Sequence, residues 1–294
     1  MRILTLEDQP FAVLPYWNAA SGGGTVRAGL PVLRAVVDRL PQGLSGLLVA
    51  SDLQGVVDVV AGPRRGERVL LGEALAEWLD DADEVPLRGE LGVLLAGDLY
   101  SAPGGNVRGA TGDVRAVWRA FAARARFVAG VAGNHDLFGD GVVAERPLPR
   151  WQRSAVRGVR DADGLHAAQR FADQAGVSVL DGAVQDCAGL RVGGVGGIIG
   201  DPQKPNRRRS DDFLQVLSRV LEAEPEVVVL HEGPDDPDTR RRGNPDIRAL
   251  LEVAAPGTLV LCGHCHWHEP LAALGEGCQV LNSDGRAVLL QAAG

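Results

Sequence analysis

Short apolar runs rich in Val, Leu and Ile recur along the chain at 46 to 50, 91 to 96, 127 to 132, 177 to 180, 226 to 230 and 258 to 262. They have the length of strands and lack polar alternation, so they read as strands buried on both faces. Between them lie segments whose apolar residues recur at helical spacing: 27 to 40, 66 to 80, 112 to 124, 164 to 175, 211 to 223 and 246 to 254. Strand and helix alternate, which predicts a largely parallel α/β arrangement. From 184 onward the pattern changes to two short strands around Gly189 and then GGVGGIIGDP, a hairpin feeding a glycine-rich loop. Between Glu269 and Gln291 three strand-like pieces are split by GEG and SDG turns, which predicts a meander. The most irregular stretches are 136 to 163 and 232 to 246, and long loops inside a compact domain are often functional.

No internal repeat, heptad array or low-complexity tract interrupts this pattern. The 294 residues suffice for one large α/β domain, with residues 1 to 45 as an N-terminal extension. In that extension FAVLPYWNAASGGGTV carries Trp17, a candidate partner contact, lid or cover for a sheet edge. Hydrophobic residues make up 45% and charged residues 23%, a balance that excludes a disordered chain. The apolar runs fall far short of the roughly 20 residues of a membrane helix. The opening MRILTLEDQPF has an acidic pair where a signal peptide would be apolar, so the expected location is the cytoplasm. Four scattered cysteines are too few for a disulfide framework in a chain this long. A net charge of −8 repels nucleic acid and anionic lipid over the whole surface, so a polyanion would need a local basic site.

The candidate chemistry lies where the strands stop. LLVAS ends in Asp52, VLLAG in Asp98, FVAGVAG in Asn134, VVVL in His231, and LVLCG in His264, with His266 two residues on. In open α/β sheets ligands bind beyond the carboxyl ends of the strands, so these side chains are expected to converge on one crevice. Carboxylate, imidazole and amide oxygen together suit Mn, Fe or Zn better than a thiolate site would. So many donors exceed the needs of one ion, and two divalent ions sharing a carboxylate fit better.

The ordered series SDLQG at 51 to 55, GD at 97 to 98, GNHD at 133 to 136, His231, and GHCH at 263 to 266 resembles the calcineurin-like metallophosphoesterases. Their pattern is DxH, GD, GNH(D/E), a lone His and GHxH. The resemblance spans roughly residues 46 to 290. It implies an α/β fold, a sandwich of two mixed β-sheets flanked by helices. It also implies that Asp52, Asp98 and His266 hold one ion, that Asp98, Asn134, His231 and His264 hold the other, and that Asp98 bridges. His135 would not be a ligand but would face the phosphate and leaving group. The implied reaction is phosphoester hydrolysis by in-line attack of a metal-bridging hydroxide, with two divalent ions, Mn first and Fe or Zn as alternatives. GDLYSAP and GNHD differ from the GDxxDRG and GNHE of the protein-phosphatase branch. The expected substrate is therefore a phosphodiester ahead of a monoester, such as a nucleotide or nucleic-acid end, with no membrane partner.

Each feature has a plainer reading. GNHD alone is an acceptable turn, His231 alone an acceptable core histidine, and only the motif order raises them. His166 sits on a predicted helix, and His268 continues the alternation of 264 and 266 as a candidate neighbour of the ligands. CGHC at 262 to 265 has the spacing of a redox pair, but HWHEP follows it where such a pair needs a helix. Arg207 to Arg209 and Arg240 to Arg242 lie in loops near the expected crevice, and Arg209 and Arg241 are the candidate phosphate contacts. One departure stands out: DxH is DxQ here. Gln54 offers a neutral amide oxygen in place of imidazole, which predicts a weaker first ion. It also admits an alternative in which the fold binds a protein partner with weakened catalysis. Gln54→His is expected to tighten the first ion, and titration of Mn²⁺ into metal-stripped protein measures it.

Overall fold

In the strand Gly46–Ser51 all six residues are buried, and alternate side chains enter different cores. Leu47 and Val49 join one apolar cluster, whereas Leu48 and Ala50 join another. The same division repeats at Leu91–Leu95, Val227–Glu232 and Leu259–Gly263. That double burial is why these segments read as unbroken apolar runs. It also makes the architecture four layers deep, helices over sheet over sheet over helices.

The computed structural model describes residues 1–139 and 161–293. In chain order the elements are β1 (Ile3–Leu6), β2 (Ala12–Ala19), β3 (Thr25–Val37), β4 (Gly46–Ser51), β5 (Val56–Asp58), β6 (Arg68–Leu70), α1 (Leu71–Trp78), β7 (Leu91–Leu95), β8 (Gly112–Asp113), α2 (Arg115–Ala122), β9 (Phe127–Gly130) and β10 (Asp136–Leu137). They continue with α3 (Asp161–Ala175), β11 (Ser178–Val179), β12 (Ala183–Cys187), β13 (Leu190–Val195), β14 (Ile198–Ile199), β15 (Arg207–Arg208) and α4 (Ser210–Glu222). The last are β16 (Val227–Glu232), α5 (Pro245–Ala254), β17 (Leu259–Gly263), β18 (Leu271–Leu274), β19 (Cys278–Asn282) and β20 (Arg286–Ala292).

The fold is α/β, built on two mixed sheets. The first runs β11-β9-β7-β4-β20-β3-β2-β5-β6, with β1 also on β3. The second runs β12-β13-β16-β17-β19-β18. Strands β4, β7, β9 and β11 are mutually parallel, as are β13, β16, β17 and β19. Val49, Leu94, Val131, Val229, Leu261 and Leu290 fill the layer between the sheets. Val117, Trp118, Phe121 and Phe171 of α2 and α3 cover the far side of the first sheet with Leu71 and Leu75 of α1. Phe213, Leu217, Ile247 and Leu251 of α4 and α5 cover the second. Among the described residues no helix is long and apolar enough to cross a membrane.

Two expectations fail here. The segment 27 to 40 is not a helix but most of the thirteen-residue strand β3. Leu30, Leu33 and Val37 have helical spacing, yet Leu30 and Val32 face the outer core while Leu33, Ala35 and Val37 face the inner one. A strand buried on both faces can thus imitate a helix. The breaking signal is Pro31 amid several valines, since proline disrupts a helix interior and β-branched residues favour strands. The tail is also no meander. β18 and β19 form a hairpin in the second sheet, but β20 crosses to the first and lies between β4 and β3. The helix expected over 66 to 80 starts at Leu71, because Arg68–Leu70 pairs with β5 instead. Most of the irregular stretch 136 to 163 lies outside the described residues.

Residues 1 to 37 supply three strands to the first sheet, and β3 pairs with β20 along Ala287 to Ala292. Deleting residues 1 to 45 would leave β20 without its parallel partner and bare the apolar inner face. The expected product is insoluble or lacks cooperative unfolding, which soluble yield and a circular-dichroism melt would show.

Candidate metal centre

The parallel strands of both sheets end on one side, and their exits carry the predicted side chains. Asp52 follows β4, Asp98 lies three residues past β7, Asn134 four past β9, His231 near the end of β16, and His264 directly after β17. Three of these exits use backbone that side chains rarely adopt: φ is 52° at Asp52, 54° at Asp98 and 66° at His264. Left-handed backbone at non-glycine residues costs on the order of 1 kcal/mol or more and clusters at functional sites. Glycines let the loops close. Gly97 has φ 88°, and a Cβ there would lie 2.4 Å from the Gly133 nitrogen; a Cβ on Gly133 would lie 2.1 Å from Asp98 Oδ1.

Asp98, His231 and His264 each aim a donor atom into a space where all three lie within 4.8 Å of one another. Asp98 and His231 are buried and His264 half-buried. The His231 Nδ1–H donates to the Ala96 carbonyl at 2.8 Å, which turns Nε2 toward Asn134 Oδ1 at 3.2 Å and Asp98 Oδ1 at 3.4 Å. A far-side hydrogen bond to a backbone carbonyl is how metal-binding imidazoles are usually oriented. The His231 and His264 rings meet edge to face, 5.1 Å between centroids. Carboxylate, two imidazoles and an amide oxygen around one point form a donor set that fits a divalent ion.

Charge is strongly coupled across this cluster. Burial alone would raise Asp98, but His231 beside it holds the carboxyl at about 2. Burial alone would lower His231, and Asp98 overrides it, pushing the imidazole up to about 10. Burial, with the charge of His231, lowers His264 to about 4. With Nε2 3.4 Å from Asp98 Oδ1, the His231 ring is favoured in its protonated form by that carboxylate.

A partner that sequence reading left unexplained is Asp136, the last residue of GNHD. It is 1% exposed and accepts from the backbone N–H of Asp98, Leu99 and Gly133, each at 2.8 Å. It ties the β7 and β9 exits together. His135 donates its backbone N–H to Asp98 Oδ1 at 2.9 Å, and its ring nitrogen Nδ1 lies 3.0 Å from Thr111 Oγ1. Burial lowers its pKa, against the pull of Asp98. Thr111 lacks any motif signal in the sequence.

Around the cluster runs a crevice of about 760 Å³ whose lining includes Asp52, Gln54, Asp98, His135, His264 and His266. Asp52 accepts from the His264 backbone N–H at 3.0 Å. The His266 side chain is 63% exposed, with Nδ1 3.7 Å from Asp284. Gln54 donates one of its side-chain amide N–H groups to Asp98 Oδ2 at 3.0 Å. Neither candidate arginine lines the crevice. Arg241 is locked by Asp236 at 2.9 Å and Glu269 at 3.1 Å, stacks on Trp267, and does not line the crevice. Arg209 is exposed at the start of α4 and does not line it either. Among the described residues the lining arginines are Arg108 and Arg242, the second one residue from the expected position. His166 and His268 are exposed and outside the lining. Burial raises the Cys262 and Cys265 thiols, the opposite of what a redox thiolate requires.

No protein-family model matches the chain, and no curated protein matches it. Fifteen solved chains match. They include a putative 5'-nucleotidase from Staphylococcus aureus in complex with alpha-ketoglutarate (15% identity, TM-score 0.45, covering 83% of this chain and 50% of that one). A phosphopantetheinyl hydrolase from Mycobacterium tuberculosis is 12% identical (TM-score 0.43, covering 80% and 87%). The sulfate thiohydrolase SoxB from Thermus thermophilus, in complex with glycerol, is 14% identical (TM-score 0.39, covering 84% and 53%). The chain thus spans about half the length of the first and third.

Asp136→Ala would strand three buried N–H groups, each costing about 1–3 kcal/mol when unsatisfied. It is expected to lose at least about 3 kcal/mol of stability by urea denaturation.

Proposed function

We propose that the chain is a divalent-metal-dependent phosphoesterase of the calcineurin-like type, acting on a phosphodiester ahead of a monoester. The observation that carries this reading is the convergence of Asp98, His231 and His264 donor atoms within 4.8 Å, beside a crevice that His135 also lines. Asp98, Asn134, His231 and His264 would hold one ion, and Asp52, Asp98 and His266 the other. Bound there, divalent ions would acidify a coordinated water and neutralise phosphate charge.

The protein's own groups have distinct work. Asp98 is kept ionised by its neighbours, so its two oxygens can face both positions. Thr111 Oγ1 lies 3.0 Å from His135 Nδ1, which leaves Nε2 as the nitrogen that would donate to a phosphate or leaving-group oxygen. An anion in the crevice would favour the protonated ring, and such a positioned acid commonly contributes about 10²–10⁴ in rate. Arg108 and Arg242, at the rim, would contact the outer phosphate oxygens in place of Arg209 and Arg241. A crevice of about 760 Å³ could admit a group on each side of phosphorus, as a diester such as a nucleotide or nucleic-acid end requires.

Metal-stripped protein is expected to regain hydrolysis of bis-p-nitrophenyl phosphate as Mn²⁺ is added, and His135→Ala to lose at least a hundredfold of it. Metal binding without turnover of this or a monoester would overturn the proposal in favour of a binding scaffold.

A further inference from the structure

At the proposed first ion position Gln54 offers a neutral amide rather than an imidazole, and it turns one amide N–H toward Asp98 Oδ2. Opposite it the crevice carries a side chain outside every motif of the series. Asp284 lies in the turn between β19 and β20, and an isolated bridge pairs it with Ser51, the residue before Asp52. The turn is pinned there: Ser283 Oγ lies 3.1 Å from Ser51 Oγ, and the Ser283 N–H donates to the Cys262 carbonyl at 2.8 Å. It therefore sits where β4 of one sheet meets β17 of the other. The Asp284 carboxylate is 19% exposed, with Oδ1 3.7 Å from His266 Nδ1. With Asp52, Asp98 and His266 it lines one part of the crevice.

We infer that Asp284, rather than Gln54, completes the first metal position, so that this ion is held by Asp52, Asp98, Asp284 and His266. The inference rests on the proposed metal-dependent activity. Its geometric support is that Asp284 and Asp52 leave neighbouring backbone positions toward the same space, with His266 beside them. Arg286 reaches His266, at 3.3 Å from Nε2, but donates to the Trp267 carbonyl at 2.7 Å.

A chemical consequence separates the two positions. Three carboxylates and one imidazole make the first an oxygen-rich site, suited to Mn²⁺ or Mg²⁺. Two imidazoles make the second better suited to Zn²⁺ or Fe²⁺. The ions would then differ in kind as well as in affinity.

The test is Mn²⁺ stoichiometry and affinity by calorimetry, with electron paramagnetic resonance to detect spin coupling between paired ions. Wild type is expected to bind two coupled ions. Asp284→Asn is expected to weaken one of them at least about tenfold and to abolish the coupling, while Gln54→Ala keeps both within about threefold. Should Asp284→Asn fail to fold, Asp284→Ser and Asp284→Glu report the same contrast, the ion weakened by Ser and kept by Glu. Two ions bound by Asp284→Asn at wild-type affinity would overturn the inference alone, as would a wild type that binds a single ion. A wild type that binds no ion would overturn the proposed function with it.

Discussion

Asp98 is a carboxylate placed where water scarcely reaches, 3% exposed between the exits of strands from two sheets. A buried charge must be paired or hydrogen-bonded, and the surrounding structure satisfies that demand from several directions. His231 brings an imidazole from the second sheet, His135 a backbone N–H from the β9 exit, and Gln54 an amide N–H from the β4 exit. Asp136 then fixes the backbone of Asp98 itself. The left-handed conformations at Asp52, Asp98 and His264 are the strained consequence of bringing these exits so close, and the four-layer packing holds them there.

The two ion positions proposed above would not be built alike. The second is assembled from the rigid ends of β16 and β17 and the clamped GNHD turn, with His231 fixed on its far side by a backbone carbonyl. The first draws on Asp52, on an exposed His266 and on a turn that follows β19. Beside them Gln54 presents an amide, one N–H turned to Asp98 Oδ2. A rigid, preoriented site loses little freedom on binding an ion, whereas His266 must be ordered as the ion arrives. On that proposal, unequal affinity would follow from the architecture as well as from donor type.

Arginine placement shows a different constraint. Arg241 and Arg242 are adjacent in sequence yet serve opposite purposes, one bound into Asp236, Glu269 and Trp267, the other open to the crevice. Alternate residues of an extended loop face opposite sides, so a cluster of like charges says little about which member meets a ligand.

Much of the fold was legible in the sequence because parallel strands buried on both faces leave unbroken apolar runs, and each metal-capable residue follows such a run. Asp52, Asp98, Asn134, His231 and His264 could be named from that position alone. β3 was not legible as a strand, since its two buried faces together imitate helical spacing. Nor was the crossing of β20 into the first sheet, because a strand's partner is chosen by packing far along the chain. Asp136, Thr111, Asp284, Arg108 and Arg242 carry no periodic signal, and their roles arise only from contacts between distant loops. Local pattern therefore determined which side chains leave the strands at their carboxyl ends. The tertiary structure decided which of those side chains meet, because hydrogen bonds and charge act over a few ångströms in space and not along the sequence.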